Sequence, residues 1–131
     1  MLTPTIKNHS VTYYEHFLYC FGGYDGRMNH SNLVIFDLVN KSWFDGDAWV
    51  KGSPPPGRNG HTATLATESG KIIIIGGWLG SGPLAASDMH VLYVKEGPVN
   101  LRWSQPEVKG TPPGPCNMHS GKLNEFEESS L

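Results

Sequence analysis

Lys51-Gly52-Ser53-Pro54-Pro55-Pro56-Gly57-Arg58-Asn59-Gly60-His61-Thr62 returns 58 residues further on as Lys109-Gly110-Thr111-Pro112-Pro113-Gly114-Pro115-Cys116-Asn117-Met118-His119-Ser120. Lys, Gly, two Pro, Asn and His recur at identical spacing, and Ser and Thr exchange at two further positions. Self-similarity at a period of about 50 residues marks a fold assembled from stacked copies of one supersecondary unit.

Other features repeat with it. Gly22-Gly23 follows the apolar run Phe17-Leu18-Tyr19-Cys20-Phe21, and Gly76-Gly77 follows Ile72-Ile73-Ile74-Ile75. After each Gly pair come a polar loop, a second apolar run (Leu33 to Asp37; Met89 to Tyr93) and a Trp, first Trp43 and then Trp103. Each copy therefore reads His-[Ser/Thr], apolar run, Gly-Gly, loop, apolar run, Trp. The longer loop of the second copy loosens the period, as repeat folds tolerate.

The apolar runs are short, bounded by Gly, Pro, Asn and Asp, and rich in β-branched and aromatic residues, which favours strands. Scattered Gly and Pro interrupt every helix-length window, so no helix is expected. Strands are expected near 10–14, 17–21, 33–38 and 42–50, then near 61–66, 71–75, 88–94 and 101–108. A Gly pair at the end of a buried strand allows a sharp bend and close packing, because Gly lacks a Cβ and reaches positive φ.

Leu18 to Gly26, the run from Asn32 to Asp37 and Trp43 together resemble a kelch repeat. Arg58, His61, Ile73 to Gly77, Asp88 to Tyr93 and Trp103 supply the second match. The resemblance covers about residues 9–120. It implies an all-β fold of kelch-type β-propeller blades, each a four-stranded antiparallel sheet. Copy two departs from copy one by carrying Trp78 where copy one has Tyr24, and the third start has Cys116 in place of Arg58. The expected organisation is a lead-in at 1–8, repeats at 9–58 and 59–116, and the start of a truncated third repeat with an acidic tail at 117–131. Gly22, Gly23, Trp43, His61, Gly76, Gly77, Trp103 and His119 are expected to be structural, with both Trp side chains largely buried.

Two blades make an incomplete propeller, since closed ones have about four to eight. Three readings stay open: a fragment or truncated product, copies closing a ring together, or an open two-blade stack. Uncovered blade faces predict marginal folding or self-association.

Composition narrows the function. Net charge is −2 with 17% charged residues, and the basic residues are dispersed, which argues against a nucleic-acid footprint. No apolar run reaches the roughly 18 residues of a membrane helix. The start lacks the layout of a secretory signal. A cytoplasmic location is expected, with the nucleus as the other candidate, and Cys20 and Cys116 are expected as free thiols.

Metal chemistry finds no motif: HxH, HExxH and CxxC are absent, and His9, His61 and His119 share one repeat position on separate blades. Each is expected to bond nearby backbone at the start of its own repeat. No nucleophile motif appears either. Neither a cofactor nor catalysis is expected, although a fragment of an oxidase-like kelch enzyme with its catalytic residues on other blades is the alternative. The resemblance implies protein–protein interaction, in the manner of ubiquitin-ligase substrate-recognition modules or scaffolds.

It also implies that the loops after the Gly pairs and the Pro-rich loops share one binding face. Arg27, His30, Arg58 and Trp78 are the expected partner-binding residues there. Guanidinium forks suit carboxylates and an exposed Trp makes an anchor, so the expected ligand is an acidic or carboxylate-bearing peptide. Arg58 has a second reading, as a brace on loop carbonyls. Lys7 and Lys122 are expected off this face.

Overall fold

The computed structural model describes residues 5–79, 89–111, 114, 116–117 and 119–122. Eight strands form two four-stranded antiparallel meanders. The first holds β1 (Ser10–Tyr14), β2 (Phe17–Phe21), β3 (Leu33–Asp37) and β4 (Ser42–Asp45). The second holds β5 (Thr62–Ala66), β6 (Lys71–Ile75), β7 (Met89–Tyr93) and β8 (Arg102–Ser104). Six of the eight fall within a residue of their expected bounds. The fourth strand of each sheet is shorter than expected. After Asp45 the chain forms one 3-10 turn, Gly46–Ala48, capped by the Asp45 carboxylate, which accepts from Asp47 N–H at 2.9 Å. Beyond Ser104, Pro106 has no N–H to donate to a ladder.

The sheets are images of each other in register. Phe36 stands opposite Trp43 as Leu92 stands opposite Trp103. They stack face to face. Tyr14, Tyr19, Phe21, Leu33 and Ile35 of the first sheet meet Ile72, Ile74, Leu92 and Trp103 of the second in one core. Phe21 lies at its centre, with its ring 5.2 Å from that of Trp103 and edge-on to that of His61 at 5.4 Å.

Stacking explains why the two Trp differ. Trp103 is 3% exposed, because the first sheet covers its face. Trp43 occupies the same place in the repeat but is 56% exposed, contrary to expectation. Its face, with Val11 and Tyr13, has no sheet over it among the described residues, and Trp43 packs edge-on against Phe36 at 4.7 Å.

Where the sheets join, the second repeat reaches back to the first. Gly23 N–H donates to the Arg58 carbonyl at 2.8 Å, and Gly60 N–H to the Asn8 carbonyl at 2.9 Å. His61 Nε2 lies 2.9 Å from Ser10 Oγ. One repeat on, Gly77 N–H donates to the Cys116 carbonyl at 2.7 Å, and His119 Nε2 lies 3.2 Å from Thr62 Oγ1 and 3.1 Å from the Ile75 carbonyl. These rings therefore tie one repeat to the previous one, which corrects the expected local role. Nδ1 of His61 and of His119 is buried with no hydrogen-bond partner among the described residues.

Candidate docking groove

The loops on one end of the two sheets enclose an open groove of about 780 Å³. Its construction starts at the Gly pairs. Gly22 and Gly23 (φ 74° and 105°) and Gly76 and Gly77 (φ 72° and 101°) turn the chain identically out of β2 and β6. The residue after each pair, Tyr24 or Trp78, is then held in a short antiparallel bridge, to Lys7 in one case and to Asn59 in the other. Both aromatic rings line the groove, and Trp78 is 41% exposed.

The loop from Asp25 to Asn32 contributes Arg27 to one side of the groove. Asp25 Oδ1 accepts from the backbone N–H groups of Arg27 and Met28 at 2.7 and 2.8 Å. The Met28 N–H, His30 and the Arg27 N–H lower the Asp25 pKa to about 2, so the carboxylate stays ionised with its oxygens turned to donors inside the loop. That leaves Arg27 exposed at the tip. His30 turns inward. Its Nε2 lies 2.8 Å from Asp25 Oδ2 and its Nδ1 3.1 Å from Asn32 Oδ1. Both ring nitrogens are thus engaged inside the loop rather than presented to the groove.

Arg58 is the most deeply placed of the expected binding residues, at 1% exposure. Its Nε donates to the Pro56 carbonyl at 3.1 Å and an η nitrogen to the Gly76 carbonyl at 3.0 Å. This is the bracing arrangement: the guanidinium fastens the Pro-rich loop to the second Gly pair from beneath. The structure thus brings Arg27 and Trp78 to a common surface and sets His30 and Arg58 behind it. Residues 80–88 of the second loop lie outside the described residues.

Several lining residues escaped the sequence reading. Lys7, expected elsewhere, lines the groove, with Nζ 5.9 Å from the Tyr24 ring centre. Asn8, Asn29, Asn59 and Asn117 contribute amides. Two of these, Asn59 and Asn117, stand at one position of the repeated segment, and that was the available signal. The described lining contains two cations, Lys7 and Arg27, and no carboxylate. No cluster of three His, Cys, Asp or Glu side chains that could hold a metal occurs among the described residues.

The family model of the KLHDC2/KLHL20/DRC7 Kelch-repeats domain matches residues 3–125. The chain belongs to the kelch-repeat family. The two sheets are accordingly kelch blades, and no closed propeller forms among the described residues. The chain is 33% identical over 104 residues to the Rab9 effector protein with kelch motifs of Mus musculus, covering 79% of this chain and 26% of that protein. It is 36% identical over 74 residues to the leucine-zipper-like transcriptional regulator 1 homolog of Drosophila melanogaster, covering 56% and 7%. A flagellar outer-arm dynein alpha chain of Chlamydomonas reinhardtii is 29% identical over 119 residues, covering 89% and 2%. The chain spans about a quarter of the length of the Rab9 effector relatives it matches.

Proposed function

We propose that the chain is a protein-recognition module whose loop-face groove binds an acidic or carboxylate-bearing peptide segment, and that it acts by binding and not by catalysis. The observation that carries this reading is the groove itself: Lys7 and Arg27 beside an exposed Trp78, with no carboxylate in the described lining. Guanidinium and ammonium donors suit carboxylates, and an indole supplies contact area with little side-chain entropy to lose. Within a larger protein the module serves a scaffold or adaptor. The effector named among its relatives fits that class, and a ubiquitin-ligase substrate adaptor is the more specific form.

The test is fluorescence polarisation with a labelled octapeptide carrying four glutamates and a free carboxyl terminus, against an amidated glutamine counterpart. The acidic probe binds and the neutral one does not. Arg27→Ala weakens binding about 10- to 100-fold, the loss of a charge-assisted bond. Lys41→Gln, at the opposite end of the first sheet, changes nothing. Arg58→Ala lowers the unfolding midpoint, as removal of a buried brace should. Equal losses from Arg27→Ala and Lys41→Gln would show diffuse charge attraction and overturn the reading.

A further inference from the structure

Asn59 is the residue on which the groove converges. Its side-chain Nδ2 donates to Asn29 Oδ1 at 2.6 Å, and its Oδ1 accepts from Asn8 Nδ2 at 3.3 Å. Its main chain exchanges two hydrogen bonds with Trp78, at 3.1 and 2.7 Å. One residue therefore joins four segments: the segment leading into β1, the β2–β3 loop that carries Arg27, its own β4–β5 loop, and the start of the β6–β7 loop that carries Trp78. The β4–β5 loop has no slack here, since a Cβ on Gly57 would come within 2.5 Å of the Asn29 carbonyl oxygen.

The residue at this place of the repeat varies: it is an amide at Asn59 and Asn117 and a cation in the first copy. In the first blade the equivalent place, bridged to Tyr24, is held by Lys7, whose ammonium lies over the Tyr24 ring. A cation there reaches one neighbouring loop, through the Tyr24 ring. An amide can do what neither a cation nor a carboxylate can: donate to one loop and accept from another at once.

We propose that Asn59 is the positioning residue of this groove, its amide strung between Asn8 and Asn29 and its main chain bridged to Trp78, so that the cationic and aromatic walls stand at a fixed separation. The proposal rests on the recognition reading for its purpose. A groove with its walls already in place binds without ordering two loops, which is the main route by which preorganisation raises affinity. An uncharged residue at the centre also leaves the reading of the ligand's acid to Lys7 and Arg27.

The test uses the whole chain, ¹⁵N-labelled, as Asn59→Ala and Asn59→Asp. In Asn59→Ala the indole N–H signal of Trp78 moves and the amides of Arg27 and Met28 exchange at least tenfold faster. Affinity for the glutamate octapeptide falls at least tenfold, while the unfolding midpoint stays within about 4 °C, the shift a small stability change produces. Asn59→Asp accepts from Asn8 and, once its amide turns, from Asn29. Exchange at Arg27 and Met28 therefore returns to within threefold of the parent, while the acidic probe still binds poorly because of the new negative charge. If Asn59→Ala leaves the Trp78 signal and the loop exchange untouched, the proposal is wrong. It is equally wrong if both variants raise exchange throughout the sheets, because Asn59 then only supports the fold. If the parent binds no probe yet Asn59→Ala loosens both loops, the positioning role stands and the recognition reading falls.

Discussion

His61 shows what a repeat asks of a single side chain. Its ring is buried beside Phe21 and Ser10 of the preceding blade, and burial, with the Arg58 charge nearby, lowers its pKa to about 4. In the unfolded chain an imidazole titrates near 6.5, so on acidification the unfolded state takes up the proton first. The stabilisation is therefore complete above about pH 6.5 and is lost as the pH falls towards 4, with a total on the order of 3 kcal/mol. Urea unfolding at pH 7, 5.5 and 4.5 checks this. The parent weakens across that window, and His61→Gln, less stable at pH 7, shows a flatter dependence. From the sequence, His9, His61 and His119 were recognisable as one position, but their partners were not. Equivalent positions on separate blades suggested a local backbone role for each ring, whereas Ser10 and Thr62 are each reached by the histidine of the next copy. Arg58 illustrates the complementary limit. A guanidinium that binds a ligand and one that braces a loop are the same letter, and only its burial between Pro56 and Gly76 separates them.

At the scale of elements the strands were legible because the apolar runs are brief and sharply punctuated. Their ends were less so, since a Gly such as Gly46 can close a strand by packing against Leu33 and Ile35 rather than by any property of its own. The Gly-Gly corners were legible as corners, and the structure adds what fills them. A Cβ on Gly22 would come within 2.8 Å of both the Arg58 carbonyl oxygen and the His61 ring, and one on Gly76 within 2.5 Å of the His119 ring. Gly22→Ala therefore meets a left-handed backbone (φ 74°) and a blocked inter-repeat contact together. We expect a destabilisation of about 2–4 kcal/mol, against about 1–2 kcal/mol for Gly26→Ala, which carries the backbone penalty alone. At Gly26 a Cβ would meet nothing within 4 Å. Paired denaturation curves measure the difference, and equal costs would mean that the corner has room to spare. The groove was half legible for a related reason. Arg27 and Trp78 stand out by chemistry, whereas the asparagines matter through bonds between loops distant in sequence.

For the molecule as a whole, the two faces of a blade are not equivalent. The face of the second sheet that carries Trp103 is covered by the first, while the matching face of the first exposes Val11, Tyr13 and Trp43 at 51%, 59% and 56%. A contiguous apolar sheet face of this kind drives association in water. We expect this chain to self-associate in sedimentation across 5–200 µM, with an unfolding midpoint that rises with concentration by mass action. Trp43→Lys with Tyr13→Lys should yield monomers that remain folded. A parent that stays monomeric and unfolds independently of concentration would remove the idea. The histidine tie between blades has a further consequence, for synthesis. The clasp on Ser10 is supplied by His61, 16 residues beyond the end of β4 at Asp45, and at ribosomal rates of about 5–20 residues per second the finished blade waits about 1–3 s for it. Each blade thus leaves the ribosome unlatched and is locked only when the opening residues of its successor arrive, so the nascent chain matures one repeat behind translation.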